Sequence, residues 1–435
     1  MRNRSTTIII IVIVLLIASA LAYWYFFWNG AGNTITPVVT GSRPSTGFKP
    51  FTSSAPLPTD LAPVNGLANA NQSSATTTNP NAPIPALRLL SDTPVGGYGA
   101  STTASFSTVR WIDRGRGNVY QAESDKLGTG LVSNTILPRM YESSWNRDLS
   151  GFIGSLLTEN EDASTVVYAG LKVRPAGETA SSSNASDQVS QATPYELKGN
   201  NLPDKTLAFA VSPDGKKVFM LIGEGTDAGG YVANFDGTAV KKIFSTPLTE
   251  VNADWPSASI IALTTKGSAG TPGYLYFVDP VSGVWHKILG PMAGLSAKTS
   301  HDGRYVIASY AATNQTLGTA IYKVGSAAAT DPLVRTLADK CAWGNYYLSL
   351  VYCAVPVSLD PASYPDDWYR GAVSFTDKIW QINASTGEVH LVTSIVDQSD
   401  RIIDAFNLGL DNRDDFLYFM NKNDLSLWSY DLSGE

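Results

Sequence analysis

The sequence predicts an all-β fold, a seven-bladed β-propeller preceded by one transmembrane helix and a disordered stalk. Three observations predict it: an uncharged apolar run near the N-terminus, a long core-free segment after it, and a repeated strand-aromatic-turn pattern over the rest. Composition agrees. The 435 residues include 37 Gly, 24 Pro, 20 Tyr and 10 Trp with only 16% charged residues, a balance that suits short strands joined by tight turns rather than long surface helices.

The first element is residues 8–28, an apolar run of 21 residues without a charge. As a helix it would be about 32 Å long, enough for a bilayer core of about 30 Å. Arg2 and Arg4 precede it and no positive charge follows until Arg43. The positive-inside rule therefore puts residues 1–28 as a cytoplasmic tip and signal-anchor, with everything after them extracytoplasmic at the cell membrane. Tyr23, Trp24, Tyr25, Phe26, Phe27 and Trp28 supply an aromatic belt. A rival reading is a cleaved signal peptide, since Ala18-Ser19-Ala20 resembles a cleavage site. Cleavage there would leave the greasy end LAYWYFFW in water, which favours a retained anchor. No lipobox cysteine is present.

The second element, residues 29–86, is Ser, Thr, Pro, Ala, Asn and Gly with only Arg43, Lys49 and Asp60 charged. It cannot bury a core. As a flexible chain it spans roughly 40 Å end to end, the dimension of a stalk.

The third element, residues 87–435, carries the repeat. Its aromatic markers are Tyr120, Tyr168, Tyr231, Tyr276, Tyr322, Trp380 and Trp428, spaced by 48, 63, 45, 46, 58 and 48 residues. Four-stranded blades recur at about 40 to 45 residues, so the two wide intervals contain insertions. Taking each aromatic as the end of a unit gives blades at 87–123, 131–172, 195–236, 240–283, 284–325, 331–387 and 388–432. In the fifth unit the strands read 285–289, 297–300, 305–310 and 319–324, with alternation of β type. The turns Ser212-Pro213-Asp214-Gly215 and Ser300-His301-Asp302-Gly303 then fall between second and third strands, where Asp-Gly suits positive backbone angles.

The segment SPDGKKVFML resembles the repeat of TolB-type, PD40 (WD40-like) propellers, and SHDGRYVIAS is a looser copy. The other five units lack it, carrying for example WPSASIIAL and NRDDFLYFM. The resemblance implies a superfamily of blades and a fold, and names no ligand. TolB itself has an N-terminal α/β domain and is soluble in the periplasm, whereas an anchor and stalk are expected here, so its envelope-transport role is not carried over.

Several function classes are disfavoured by charge and motif. The net charge of −7 and the absence of a clustered basic face argue against nucleic acid as partner. His286, His301 and His390 lie on different units without metal-ligand spacing, and no G-x-S-x-G elbow, Walker loop or dinucleotide fingerprint occurs. The sequence thus assigns no catalytic residues, no metal and no cofactor, and enzyme status stays open because a propeller can assemble a site from distant residues.

The best contact site is the insertion at 360–371, where Asp366, Asp367, Trp368, Tyr369 and Arg370 concentrate acids, an Arg and aromatics. Such anchors dominate interface energy. The alternative is that the rings fold back onto the blade while the acids satisfy local amides. Cys341 and Cys353 flank a hairpin turning near Tyr347, which sets them opposite one another for a disulfide or as two buried thiols. Asp411 to Asp415 offers oxygen atoms suited to calcium but lacks EF-hand spacing, and reads as a solvated turn. Sequons occur at Asn71, Asn184, Asn314 and Asn383.

The function expected is an interaction or scaffold module, attached to the membrane by its N-terminal helix, that binds a protein or cell-envelope polymer. The alternative is a propeller hydrolase or lyase acting on envelope polysaccharide or peptide.

Overall fold

The computed structural model describes residues 83–157, 164–174, 193–313 and 316–434. The expected anchor at 8–28, nearly all of the stalk, the surface insertion at 175–192 and the sequons at Asn71, Asn184 and Asn314 lie outside them. No helix among the described residues is long and apolar enough to cross a membrane.

The described residues form seven four-stranded antiparallel sheets. Strand β1 (Leu87–Ser91) comes first in the chain. Blade 1 then holds β2 (Val95–Thr102), β3 (Ser107–Asp113), β4 (Val119–Glu123) and β5 (Gly130–Ser133). Blade 2 holds β6 (Met140–Trp145), β7 (Gly151–Leu157), β8 (Ser164–Val173) and β9 (Tyr195–Asn201). Blade 3 holds β10 (Thr206–Val211), β11 (Lys217–Glu224), β12 (Asp227–Asn234) and β13 (Lys241–Thr246). Blade 4 holds β14 (Val251–Ser257), β15 (Ile260–Thr265), β16 (Pro272–Val278) and β17 (Trp285–Ala293). Blade 5 holds β18 (Ser296–Thr299), β19 (Tyr305–Ala312), β20 (Thr316–Lys323) and β21 (Ala329–Thr330). Blade 6 holds β22 (Cys341–Trp343), β23 (Leu350–Pro356), β24 (Asp377–Asn383) and β25 (Val389–Ser394). Blade 7 holds β26 (Ala405–Leu410), β27 (Phe416–Asn421) and β28 (Leu427–Asp431), and takes β1 as its fourth strand. Leu87 pairs with Tyr430 and Leu89 with Trp428, so the two ends of the domain close the ring.

The sheets are framed one strand later than the units read from the sequence. Every marker aromatic lies on the third strand of its sheet, not on the last. The segment around Trp285 pairs back onto β16 and belongs to blade 4, and the Asp-Gly turns at 214 and 302 join first and second strands. The reason is chemical: the Asx-type turn after the aromatic strand is the most conspicuous punctuation of the repeat, yet it joins the third strand to the fourth within a blade.

Burial follows from blade stacking. Seven apolar clusters each draw on two adjacent blades, for example Ile112 and Val119 of blade 1 with Met140 and Phe152 of blade 2. The ring closes the same way, with Leu90 and Tyr418 of blade 7 against Val95 and Trp111 of blade 1. Because a central blade is covered on both faces, its second strand is apolar on both: KVFMLIGE in β11 and FLYFMN in β27 show little alternation. The innermost strands approach closely. At Gly97, with φ of +136°, an added Cβ would sit 2.8 Å from the Ser143 backbone nitrogen of blade 2, a place only glycine can fill.

An eighth cluster lies under the loop from β23 to β24, residues 357–376. Leu337, Ala362, Tyr364, Trp368 and Phe375 pack there with Leu317 of blade 5. The loop includes a single helical turn, α1 (Asp366–Tyr369).

Candidate functional site

Antiparallel blades send their first strands inward from one end of the ring, and the loops between second and third strands return to that same end. The 357–376 loop is one of these and lies beside the channel mouth. It is braced within itself and fastened outside at Ala269, Asp404 and Asp339. Asp366 Oδ2 accepts the Ala269 backbone N–H of blade 4 at 2.6 Å, and Asp367 accepts the Ser363 N–H and pairs with Arg370. Trp368 donates its indole N–H to Asp404 at 2.9 Å ahead of blade 7. Tyr369 donates its hydroxyl to Asp339 at 2.8 Å.

All five residues expected to make contacts bond within the molecule: Asp366 to blade 4, Asp367 to Ser363 and Arg370, Trp368 to Asp404 and Tyr369 to Asp339. Trp368 is 3% exposed. Tyr369, 41% exposed, and the Arg370 side chain face solvent. The Tyr369 ring is open to the lumen but its hydroxyl end is enclosed against Asp339, and that enclosure and the Asp339 carboxylate raise the hydroxyl far above its ordinary range.

Two adjoining cavities of about 540 and 590 Å³ open at this mouth and share Tyr141, Lys298, Asp339 and Tyr369. Tyr141 is 51% exposed, with the Arg114 guanidinium 4.9 Å from its ring centroid. Lys422 and Lys266 add positive charge, and Glu142 and Asp254 negative. Glu142 is open to the lumen yet enclosed by its walls, and burial pushes its carboxyl up against the pull of Lys266. Asp339 is engaged by Ser296 at 2.7 Å as well as by Tyr369. Among the described residues no group of three or more His, Cys, Asp or Glu could hold a metal ion.

Sequence reasoning missed Tyr141, Glu142, Lys298 and Asp339. They sit on or just ahead of first strands, and only the correct blade frame marks such positions as lining the channel.

Other predicted residues fall elsewhere. Cys341 and Cys353 are directly opposite in register and disulfide-bonded. The Asp411–Asp415 turn is not simply solvated; it is a latch between three blades. Asp411 accepts the Thr102 hydroxyl at 2.8 Å, the Ser107 hydroxyl, and the Asp415 N–H at 2.8 Å. Asp414 accepts the backbone N–H groups of Asn345, Tyr346 and Tyr347 at 2.7, 3.1 and 2.8 Å. Burial nevertheless raises its carboxyl. Asn383 accepts the Ser385 N–H within a turn at 3.0 Å.

The sheets define a seven-bladed, ring-closed β-propeller. No family model matches the chain, and no curated protein matches it. Among solved structures it is similar to TolB from Acinetobacter baumannii, at 10% identity over 76% of this chain and 78% of that one, with a TM-score of 0.39. It is also similar to the β-propeller domain of the Trilobed protease from Pyrococcus furiosus (11% identity, 76% and 94% covered, TM-score 0.45). A third is oligogalacturonate lyase from Vibrio parahaemolyticus (11% identity, 79% and 91% covered, TM-score 0.47). At such identities the likeness is one of fold.

Proposed function

We propose that this chain is a membrane-anchored, extracytoplasmic interaction module that binds a protein or cell-envelope polymer at the channel mouth beside residues 357–376. The observation that carries this reading is the exposed pair Tyr141 and Tyr369, with Arg114 against the Tyr141 ring. Rigid aromatics and Arg are the side chains that anchor partners. Lys266, Lys298 and Lys422 around them, on a chain of net charge −7, favour an anionic stretch of that partner. The apolar run at 8–28 supports the anchor and the polar 29–86 segment supports the stalk.

The test is crosslinking in intact membranes followed by recovery of the full-length chain. A partner captured by the native chain should fall at least tenfold in a Tyr141→Ala, Arg114→Ala variant, and a chain truncated before residue 87 should leave the membrane fraction. Capture unchanged by the double substitution would overturn the proposed surface. A hydrolase or lyase reading would draw on Glu142, the enclosed acid of the lumen. Turnover of a glycan or peptide by the purified chain, abolished by Glu142→Gln, would replace the interaction reading.

A further inference from the structure

Lys340 ends a 3-10 turn, Ala338–Lys340, directly before β22, and its side chain is fully buried. It meets two equally buried carboxyl groups. Asp377 Oδ2 lies 2.8 Å from Nζ, and Asp404 Oδ1 touches the same nitrogen. The rings of Trp368 and Phe375, with centroids 5.3 and 5.1 Å from Nζ, wall the group off from water.

Ions this deep are costly unless every lone pair is satisfied. Asp404 meets that condition, accepting the Trp368 indole at 2.9 Å and the Phe375 N–H at 3.1 Å beside its contact with Lys340. Asp377 does not. Its Oδ2 accepts the Ala405 N–H at 2.6 Å, but its Oδ1 is buried without a hydrogen-bond partner among the described residues. Burial first, and then the neighbouring Asp404, push the Asp377 carboxyl up to about 6 against the pull of Lys340.

We propose that Lys340 and Asp377 condense into an intramolecular amide, with Asp404 carrying the proton. Transfer of one proton from the ammonium to Asp377 leaves an amine facing a carboxylic acid. The first proton lands on Oδ2, the oxygen that Nζ faces; the Nζ lone pair attacks Cγ, a C–N bond forms, and negative charge gathers on Oδ1. Asp404 takes a proton from the nitrogen and delivers it to the Oδ2 hydroxyl; the Cγ–Oδ2 bond breaks, water leaves and the carbonyl re-forms at Oδ1. Amine and acid become amide and water, Asp404 regains its starting charge, and no oxidant, reductant or co-reactant is needed. The aromatic walls then keep water from reversing the step.

Mass spectrometry of the purified full-length chain, reduced and digested with trypsin, tests this. The expected product is a branched peptide lighter by one water, in which segment 336–370, uncut after Lys340, is joined to segment 371–378. Recovery of Lys340 only in linear peptides would overturn the proposal. A branch to segment 402–413, which contains Asp404, would overturn Asp377 as the acyl partner. In an Asp404→Asn chain whose circular dichroism matches the parent, the linked fraction should fall from nearly all to a minority. A fully linked Asp404→Asn chain would overturn Asp404 as the carrier.

Discussion

Single side chains fasten this ring more than their local sequence suggests. Asp414 alone satisfies three part-buried backbone N–H groups of the neighbouring blade's turn, and an orphaned donor costs about 1–3 kcal/mol when fully buried and less here. Asp414→Ala should therefore lower unfolding free energy by about 3 kcal/mol in urea titration, while Asp414→Asn, which keeps one acceptor oxygen, should lose less. An unchanged midpoint for the Ala variant would show that water replaces the carboxylate. The aspartates of this turn were visible in the sequence, but their partners were not. Thr102 and Ser107 lie some three hundred positions away, and no local spacing reports such a pairing. The same holds for Lys340, whose position beside an apolar strand gives no hint that Asp377 and Asp404 converge on it. Trp368 was readable both as a contact anchor and as a ring folded back onto its blade; that Asp404 is the group that holds it was not.

At the scale of elements, the hairpin β22–β23 was legible because its two cysteines bracket a turn at fixed distance, and the register places them opposite one another. Closing that short loop should stabilise the domain by about 3 kcal/mol in the chain-entropy model. Reduction, or Cys341→Ser with Cys353→Ser, should lower the thermal midpoint of a chain that otherwise folds. Equal midpoints with and without reductant would show that the surrounding sheet already restrains the loop. Blade count was legible from the marker aromatics because each packs at a repeated place in its sheet, as Tyr120 does on Trp111 at 5.9 Å. Blade boundaries were less so, because hydrogen-bonding partners across a sheet edge leave no mark on hydrophobic period. That single offset also hid the channel lining, and with it Tyr141 and Glu142.

For the molecule as a whole, one recurrent device should make stability depend on acid. Hydrogen bonds hold three turn carboxylates below their ordinary value of 3.8: chiefly the Ser212 hydroxyl for Asp214, the Thr238 hydroxyl for Asp236 and the Ser282 N–H for Asp279. For depressed acids the stabilisation is present above the unfolded value and is lost as pH falls through the folded one. The thermal midpoint should decline as pH drops from about 5 to about 2, and an Asp214→Asn, Asp236→Asn, Asp279→Asn chain should show a flatter decline. Parallel curves for the two chains would exclude these turns as the source. All three turns lie at the end of the ring opposite the channel mouth, so acid should loosen that end first.

Closure of the ring also fixes an order of events. Among the described strands β1 is made first and its partner β28 last. At roughly 5–20 residues per second, β1 waits on the order of tens of seconds for its partner to be synthesised. Throughout that interval the hydrogen-bonding edge of β1 has no native mate, so newly made chains are at their most vulnerable to chaperones, proteases and one another just before the final strand arrives.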